Sequence, residues 1–142
     1  RPQNSKELEA QSKGMVKAED GTFISKEGGA IDYFTPEMAS KLKNASEYAK
    51  ENGYDIHLTS GYRPHSDQID IWNRRSGNVP VARPGTSNHE FGQAVDVSLT
   101  TSRGERLPMN SQNRAILRDI MERGGGLKNL PSEWWHFSTN GR

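Results

Sequence analysis

Read from its apolar positions, the chain shows its first sustained pattern after Thr35-Pro36. Met38, Leu42, Ala45 and Ala49 recur there at three- or four-residue intervals, and Gly53 closes the run. That spacing gathers the apolar residues on one stripe and predicts a helix, with Thr35 as its cap and Pro36 in its first turn. From Tyr54 to Ser60 the period shortens to two, with Ile56 and Leu58 on one face, as in a half-buried strand. A turn at Gly61 leads through Arg63-Pro64 to a second helix, expected to be capped by Ser66 and to carry Ile69 and Trp72 three residues apart. Residues 76–88 (SGNVPVARPGTSN) lose all periodicity and read as a loop. Gln93 to Leu99 alternates again: Val95, Val97 and Leu99 point one way, and Ala94, Asp96 and Ser98 the other. A third helix over Ser111 to Arg123 is expected to bury Ala115, Ile116 and Ile120, with Leu117 at the margin of its stripe. The run Gly124-Gly125-Gly126 ends it, and Ser132 to Ser138 makes a last short strand.

The first 30 residues are polar and punctuated by Gly14, Gly21, Gly28 and Gly29. A short helix around Leu8 to Val16 and a hairpin near Phe23 and Ile24 are the elements expected there. The order of elements predicts a small single α+β domain with a mainly antiparallel sheet and helices packed on one face. Residues 1–30 form an N-terminal extension to it, and residues 31–142 the domain proper.

Composition narrows this picture without redirecting it. At 142 residues, of which 31% are hydrophobic, the chain can bury one modest core. Nineteen basic against eighteen acidic residues leave a net charge of +1, so nothing points to a nucleic acid or a membrane surface as partner. The absence of cysteine excludes disulfides, thiolate metal ligands and a cysteine nucleophile. No apolar run approaches the roughly 20 residues that span a bilayer, and no signal-peptide pattern is present. Arg1 in first place suits a mature chain or an excised domain, with a removed export signal left open.

The chemistry lies in Ser87-Asn88-His89-Glu90-Phe91-Gly92-Gln93-Ala94-Val95-Asp96. Asp96 alternates away from the core of its strand, and Gly92 allows the preceding turn to bring His89 back toward it. Two readings stand side by side. The pair is either a loop histidine and a solvent-facing aspartate, or part of a polar site that needs a third group. The segment Glu133-Trp134-Trp135-His136-Phe137 offers one. As a regular strand it would put His136 and Trp134 on one face, with Trp135 and Phe137 in the core and Glu133 turned toward a ligand only by a bend. Two imidazoles and a carboxylate suit Zn²⁺ and would leave a fourth position for water, next to which Glu133 would act as base.

Three patches together carry a family resemblance. Residues 87–96 match the pattern S-x-H-x-x-G-x-A-x-D, residues 133–136 match E-x-W-H, and Ser60-Gly61-Tyr62-Arg63 with Gln68 downstream resembles a third. The chain thus resembles the zinc D-alanyl-D-alanine carboxypeptidases and dipeptidases, a family that also includes phage L-alanyl-D-glutamate endopeptidases and shares its fold with the hedgehog signalling domain. The likeness covers roughly the last 90 residues and leaves the first 30 aside. It implies a hedgehog/D,D-peptidase-like zinc fold and one Zn²⁺ held by His89, Asp96 and His136. Glu133 would be the catalytic base and Arg63 the partner of the developing oxyanion. Ser87, Gln68, Tyr62 and Trp134 would meet the substrate, a peptidoglycan stem peptide ending in D-Ala-D-Ala. The short interval from Asp96 to Glu133 favours a carboxypeptidase over a dipeptidase. A lysin-type endopeptidase and a non-catalytic zinc-binding module remain alternatives. The family's substrate implies a periplasmic, envelope, secreted or phage-associated setting.

Overall fold

In the computed structural model, which describes residues 3–77 and 80–142, the helical stripe from Met38 to Ala49 lies against one face of a five-stranded sheet. The elements run α1 (Ser5–Ser12), β1 (Val16–Lys17), β2 (Ser25–Lys26), β3 (Tyr33–Phe34), α2 (Pro36–Glu51), β4 (Tyr54–Ser60) and α3 (His65–Asn73). A one-turn 3-10 helix (Asn88–Phe91) then precedes β5 (Ala94–Thr101), α4 (Ser111–Asp119), β6 (Lys128–Leu130) and β7 (Glu133–Ser138). The sheet order is β2-β4-β5-β7-β6. β2 runs parallel to β4 and every other neighbouring pair is antiparallel. No helix among the described residues is long and apolar enough to cross a membrane.

The alternation read from the sequence sets the core. Ile56 pairs with Leu99 and Leu58 with Val97, and all four side chains are fully buried against Met38, Leu42, Ala45 and Ala49 of α2. Thr35 caps α2 through its hydroxyl, which accepts from the Met38 N–H, and Pro36 follows at the first helical position. Because directly paired residues share a face, the partners of the core residues' neighbours collect on the opposite side. His57 faces Ser98, and Ser60 and His136 both flank Asp96.

Several expected local features fold differently. The first helix is α1, opened by an Asn4–Glu7 capping box several residues earlier than expected. No hairpin forms at Phe23 and Ile24. Ser25 and Lys26 instead join β4 as a parallel edge, and the Ile24 N–H and Glu27 N–H bond to β4 carbonyls on either side. α3 begins at His65 rather than after Ser66, with Pro64 before it and no side-chain cap. Trp72 is half-buried, with the Arg75 guanidinium 3.5 Å above its ring. On α4 the buried residue is Leu117, whereas Ala115 is exposed. After Asp119 the helix widens into a π-turn (Ile120–Gly124), which carries Ile120 and Met121 into the core against α2. The expected loop 76–88 holds no helix or strand over 76–77 and 80–87, while residues 78 and 79 lie outside the described residues. Its last residue, Asn88, opens the 3-10 turn.

Candidate metal centre

His89 enters the site from the 3-10 turn. Ser87 caps that turn, and Glu90 completes a reciprocal capping box by accepting the Ser87 N–H. Gly92 ends it in the left-handed conformation at φ 68°, which a glycine adopts without a Cβ penalty, and the chain passes into β5. Asp96 projects from β5 on the face away from the core. His136 is its directly paired neighbour on β7. His89 Nε2 lies 3.1 Å and His136 Nδ1 2.9 Å from Asp96 Oδ1. The three ligand atoms all fall within 4.8 Å of one another. Tetrahedral zinc with bonds near 2.1 Å would space its ligands by roughly 3.4 Å, so modest shifts separate this cluster from a coordination shell.

The outer nitrogens decide what the inner ones can do. His89 Nδ1 lies 2.8 Å from the Gly61 carbonyl, and His136 Nε2 lies 2.8 Å from the Arg142 carbonyl. A carbonyl only accepts, so each of these ring nitrogens carries a hydrogen. In its neutral form each imidazole would then turn a bare lone pair toward the Asp96 carboxylate. Three electron-rich groups aimed at one point repel unless a cation sits among them, so the donor set fits a divalent ion with nitrogen and oxygen preference. Protons serve the same need in the metal-free cluster. Burial by itself would push the Asp96 carboxyl up, but the hydrogen bonds and charge of His136 and His89 hold it well below the usual carboxylate range. Burial likewise opposes protonation of His136, yet Asp96, the Arg142 carbonyl and Glu133 raise its pKa above the ordinary histidine value.

Around the cluster opens a cleft of about 600 Å³. Its walls include Arg63, Gln68, Ser87, the 80–82 segment, Leu130, Glu133 and Trp135. Gln68 is buried. Its Oε1 accepts from Arg63 Nη1 at 3.0 Å and its Nε2 donates to the Ala82 carbonyl, while Arg63 Nη2 reaches Ser60 Oγ. The Arg63 N–H also donates to the His89 carbonyl, so the Gly61–Arg63 patch and the His89 turn are laced together from both directions. Gly61 passes so close to the Ile31 carbonyl that a Cβ would collide with it. That close approach explains a glycine at this point of the motif.

Glu133 reaches the cleft through an irregularity in β7. Asn129 pairs with Phe137 and Leu130 with Glu133, so one step along β6 answers four along β7. The Asn129 side-chain amide spans the bulge by donating to the carbonyls of both Glu133 and His136, at 3.0 Å each. Glu133 Oε1 consequently comes to 4.0 Å from His136 Nδ1. The same bulge exchanges the two tryptophans. Trp134, expected beside the substrate, packs against the core under the Arg114 guanidinium and is not among the cleft-lining residues, whereas Trp135, expected in the core, lines the cleft. Tyr62 also stands apart. It is buried with Ala10, Met15, Ile31 and Tyr33, and its hydroxyl accepts from Lys13 Nζ.

Glu90 was not singled out from the sequence. It is buried, and its carboxylate accepts from the Gly85 and Ser87 N–H groups while lying 2.6 Å from His65 Nδ1. The S-x-x-E spacing of Ser87 to Glu90 is the signal that would have found it. His57 bridges Ser25 Oγ on β2 and Glu27 just after it, and does not line the cleft.

The family model for D-alanyl-D-alanine carboxypeptidase (VanY) matches residues 31–125, two-thirds of the chain and the stretch that carries Arg63, His89 and Asp96. The chain belongs to the VanY family. Among curated relatives, D-alanyl-D-alanine dipeptidase of Escherichia coli (strain K12) is 28% identical over 118 residues, covering 68% of this chain and 61% of that one. YodJ of Bacillus subtilis (strain 168) is 34% identical over 73 residues, covering 46% and 27%. The chain thus spans between about a quarter and three-fifths of the length of these two curated relatives. Among solved structures, the LD-carboxypeptidase LdcB superposes with a TM-score of 0.66 at 27% identity, over 88% of this chain and 67% of that one. A D,D-pentapeptidase VanY variant in complex with Zn(II), with a TM-score of 0.55 at 18% identity over 87% and 76%, shares the fold.

Proposed function

We propose that the chain is a zinc-dependent peptidase that releases the terminal D-alanine from peptidoglycan stem peptides ending in D-Ala-D-Ala. Residues 31–142 are its catalytic unit on this reading, acting where peptidoglycan is met, in the cell envelope, outside it or on a phage. The observation that carries the proposal is the convergence of His89 Nε2, Asp96 Oδ1 and His136 Nδ1 in a cleft that Glu133 and Arg63 also line. Membership in the VanY family supports the reaction class. Zinc held by these three residues would supply Lewis acidity that brings the pKa of a water down toward neutrality.

The chain's own residues do the rest. Glu133 stands beside the ligand set at 4.0 Å from His136 Nδ1, close enough to take a proton from the attacking water and return it to the leaving nitrogen. Gln68 and Ser60 hold the guanidinium of Arg63. It faces the substrate carbonyl and opposes the negative charge that grows on its oxygen. Ser87 and Trp135 form cleft walls against which the stem peptide lies. A second reading, cleavage after an L centre, is favoured by the likeness to the LD-carboxypeptidase LdcB.

The test is incubation of zinc-loaded protein with the free dipeptide, a pentapeptide stem and a tetrapeptide stem, with products identified by mass. Release of D-alanine from the pentapeptide is expected. Glu133→Ala should keep one zinc per chain while losing on the order of 10²–10⁴-fold in turnover. D-alanine from the tetrapeptide alone selects the second reading, and cleavage of the dipeptide alone indicates a dipeptidase. A cut nearer the sugar indicates an endopeptidase, and zinc binding without any cleavage a binding module.

A further inference from the structure

We infer that His65 is a positioning residue for substrate binding, acting through Glu90 to set the cleft wall over Gly85–Ser87. The inference rests on the peptidase reading above. Thr86 and Ser87 line the cleft, whereas neither His65 nor Glu90 does. This wall is a turn outside any strand or helix, so side chains must anchor it. Glu90, only 2% exposed, supplies the first anchor. The Gly85 N–H donates to both of its oxygens, at 3.1 and 2.9 Å, and the Ser87 N–H donates to Oε2 at 3.2 Å. Donors on both oxygens fit an ionised carboxylate, which only accepts. The hydrogen in its 2.6 Å contact with His65 Nδ1 therefore belongs to the imidazole. The His65 ring also packs beside Gly85, where its Cε1 stands 3.9 Å from the place a Cβ would take.

His65 and Gln68 lie three residues apart on one face of α3. Gln68 Nε2 donates to the Ala82 carbonyl at 2.8 Å, so the helix clamps the loop at two points, before Arg83 and after it. The same Gln68 braces Arg63, which fixes the distance across the cleft from the guanidinium to the wall. The two clamps differ in what they hold. Arg63 is braced by Gln68 and Ser60, and His89 by the main chain of Gly61 and Arg63. Losing the His65 bond therefore loosens the wall while the groups that meet the scissile carbonyl stay in place. Such a loss weakens binding of substrate and transition state alike, which raises KM and spares kcat.

The experiment compares the zinc-loaded parent with three variants at position 65, whose side chain is 55% exposed and tolerates exchange. His65→Ala removes the donor, His65→Asn keeps an amide N–H where Nδ1 lies, and His65→Gln carries its amide one bond too far out. Release of D-alanine from the pentapeptide stem gives kcat and KM, and amide hydrogen exchange followed by NMR reports the opening of Gly85 and Ser87. His65→Ala should raise KM about 5–10-fold, the effect of one lost hydrogen bond, with kcat within about twofold of the parent's. Exchange at Gly85 and Ser87 should quicken by a similar factor, while the amides of β4 and β5 and the zinc content stay as in the parent. His65→Asn should restore both KM and exchange, and His65→Gln should restore neither. Parental KM in His65→Ala overturns the inference even where exchange quickens, and so does a loss of zinc or a failure of His65→Asn to rescue. If the parent releases no D-alanine, the peptidase reading fails, while the exchange rates still decide whether His65 holds the wall.

Discussion

His89 sits in a one-turn helix with a reciprocal cap and a left-handed glycine exit, and the chain leaves it directly into the eight-residue strand that bears Asp96, where pairing with β4 slips by a single residue at Thr59. His136 lies in a strand that departs from regularity, where one step on β6 answers four on β7 and a single asparagine amide spans the gap. The first end is fixed by local backbone rules and by register. The second is fixed by side chains that hold an irregular backbone in place. The difference matters because register is shared among many residues, whereas a brace fails with the loss of one.

Asp96→Ala should break both ends at once. It removes the oxygen that both histidines approach, and elemental analysis of the purified protein should find zinc reduced from one per chain to near zero. Glu90→Gln attacks the regular end alone. The buried carboxylate's charge-assisted bonds to the Gly85 and Ser87 N–H groups are weakened, and a loss of about 2 kcal/mol in denaturant unfolding is expected. Asn129→Ala attacks the irregular end. It forfeits two hydrogen bonds to carbonyls and should cost about 1–2 kcal/mol, with a fall in turnover that metal content does not explain, because Glu133 loses its approach.

The mildest probe is pH. In the metal-free protein the raised pKa of His136 stabilises the fold fully below the unfolded value of 6.5, and that contribution drains away as pH rises through the higher folded value. The depressed pKa of Asp96 acts at the other end. Its contribution is present above 3.8 and is lost only as pH falls far into the acid range. Zinc affinity should move oppositely to apo stability above about pH 6.5, increasing as the competing proton leaves. Thermal melts of the apo protein and chelator titrations over the same pH series would check the crossing.

The same contrast explains what could be read from the sequence. The period-two stretches over β4 and β5 and the stripe of α2 are legible because burial of one face forces the pattern, and the position of Asp96 opposite Val95 and Val97 follows from it. The convergence of His89, Asp96 and His136, implied by resemblance, is matched by the geometry. Strict alternation misassigned Trp134 and Trp135 because the bulge between Glu133 and Phe137 adds residues on β7 with no counterpart on β6, and nothing in Glu133-Trp134-Trp135-His136 marks that count. β2 was illegible for another reason. Two residues are too few to show a period, and the bond that anchors them, from Ser25 to His57, joins positions far apart in the chain.

The shortness of β2 has a further consequence when set beside that of β6. These two strands are the borders of the sheet, two and three residues long, and each carries a lysine, Lys26 and Lys128, while the long strands β4 and β5 lie inside. A border so brief and so charged gives a neighbouring molecule almost no row of free amides and carbonyls to zip onto. The molecule can therefore keep an open cleft beside its sheet without inviting copies of itself to polymerise strand by strand.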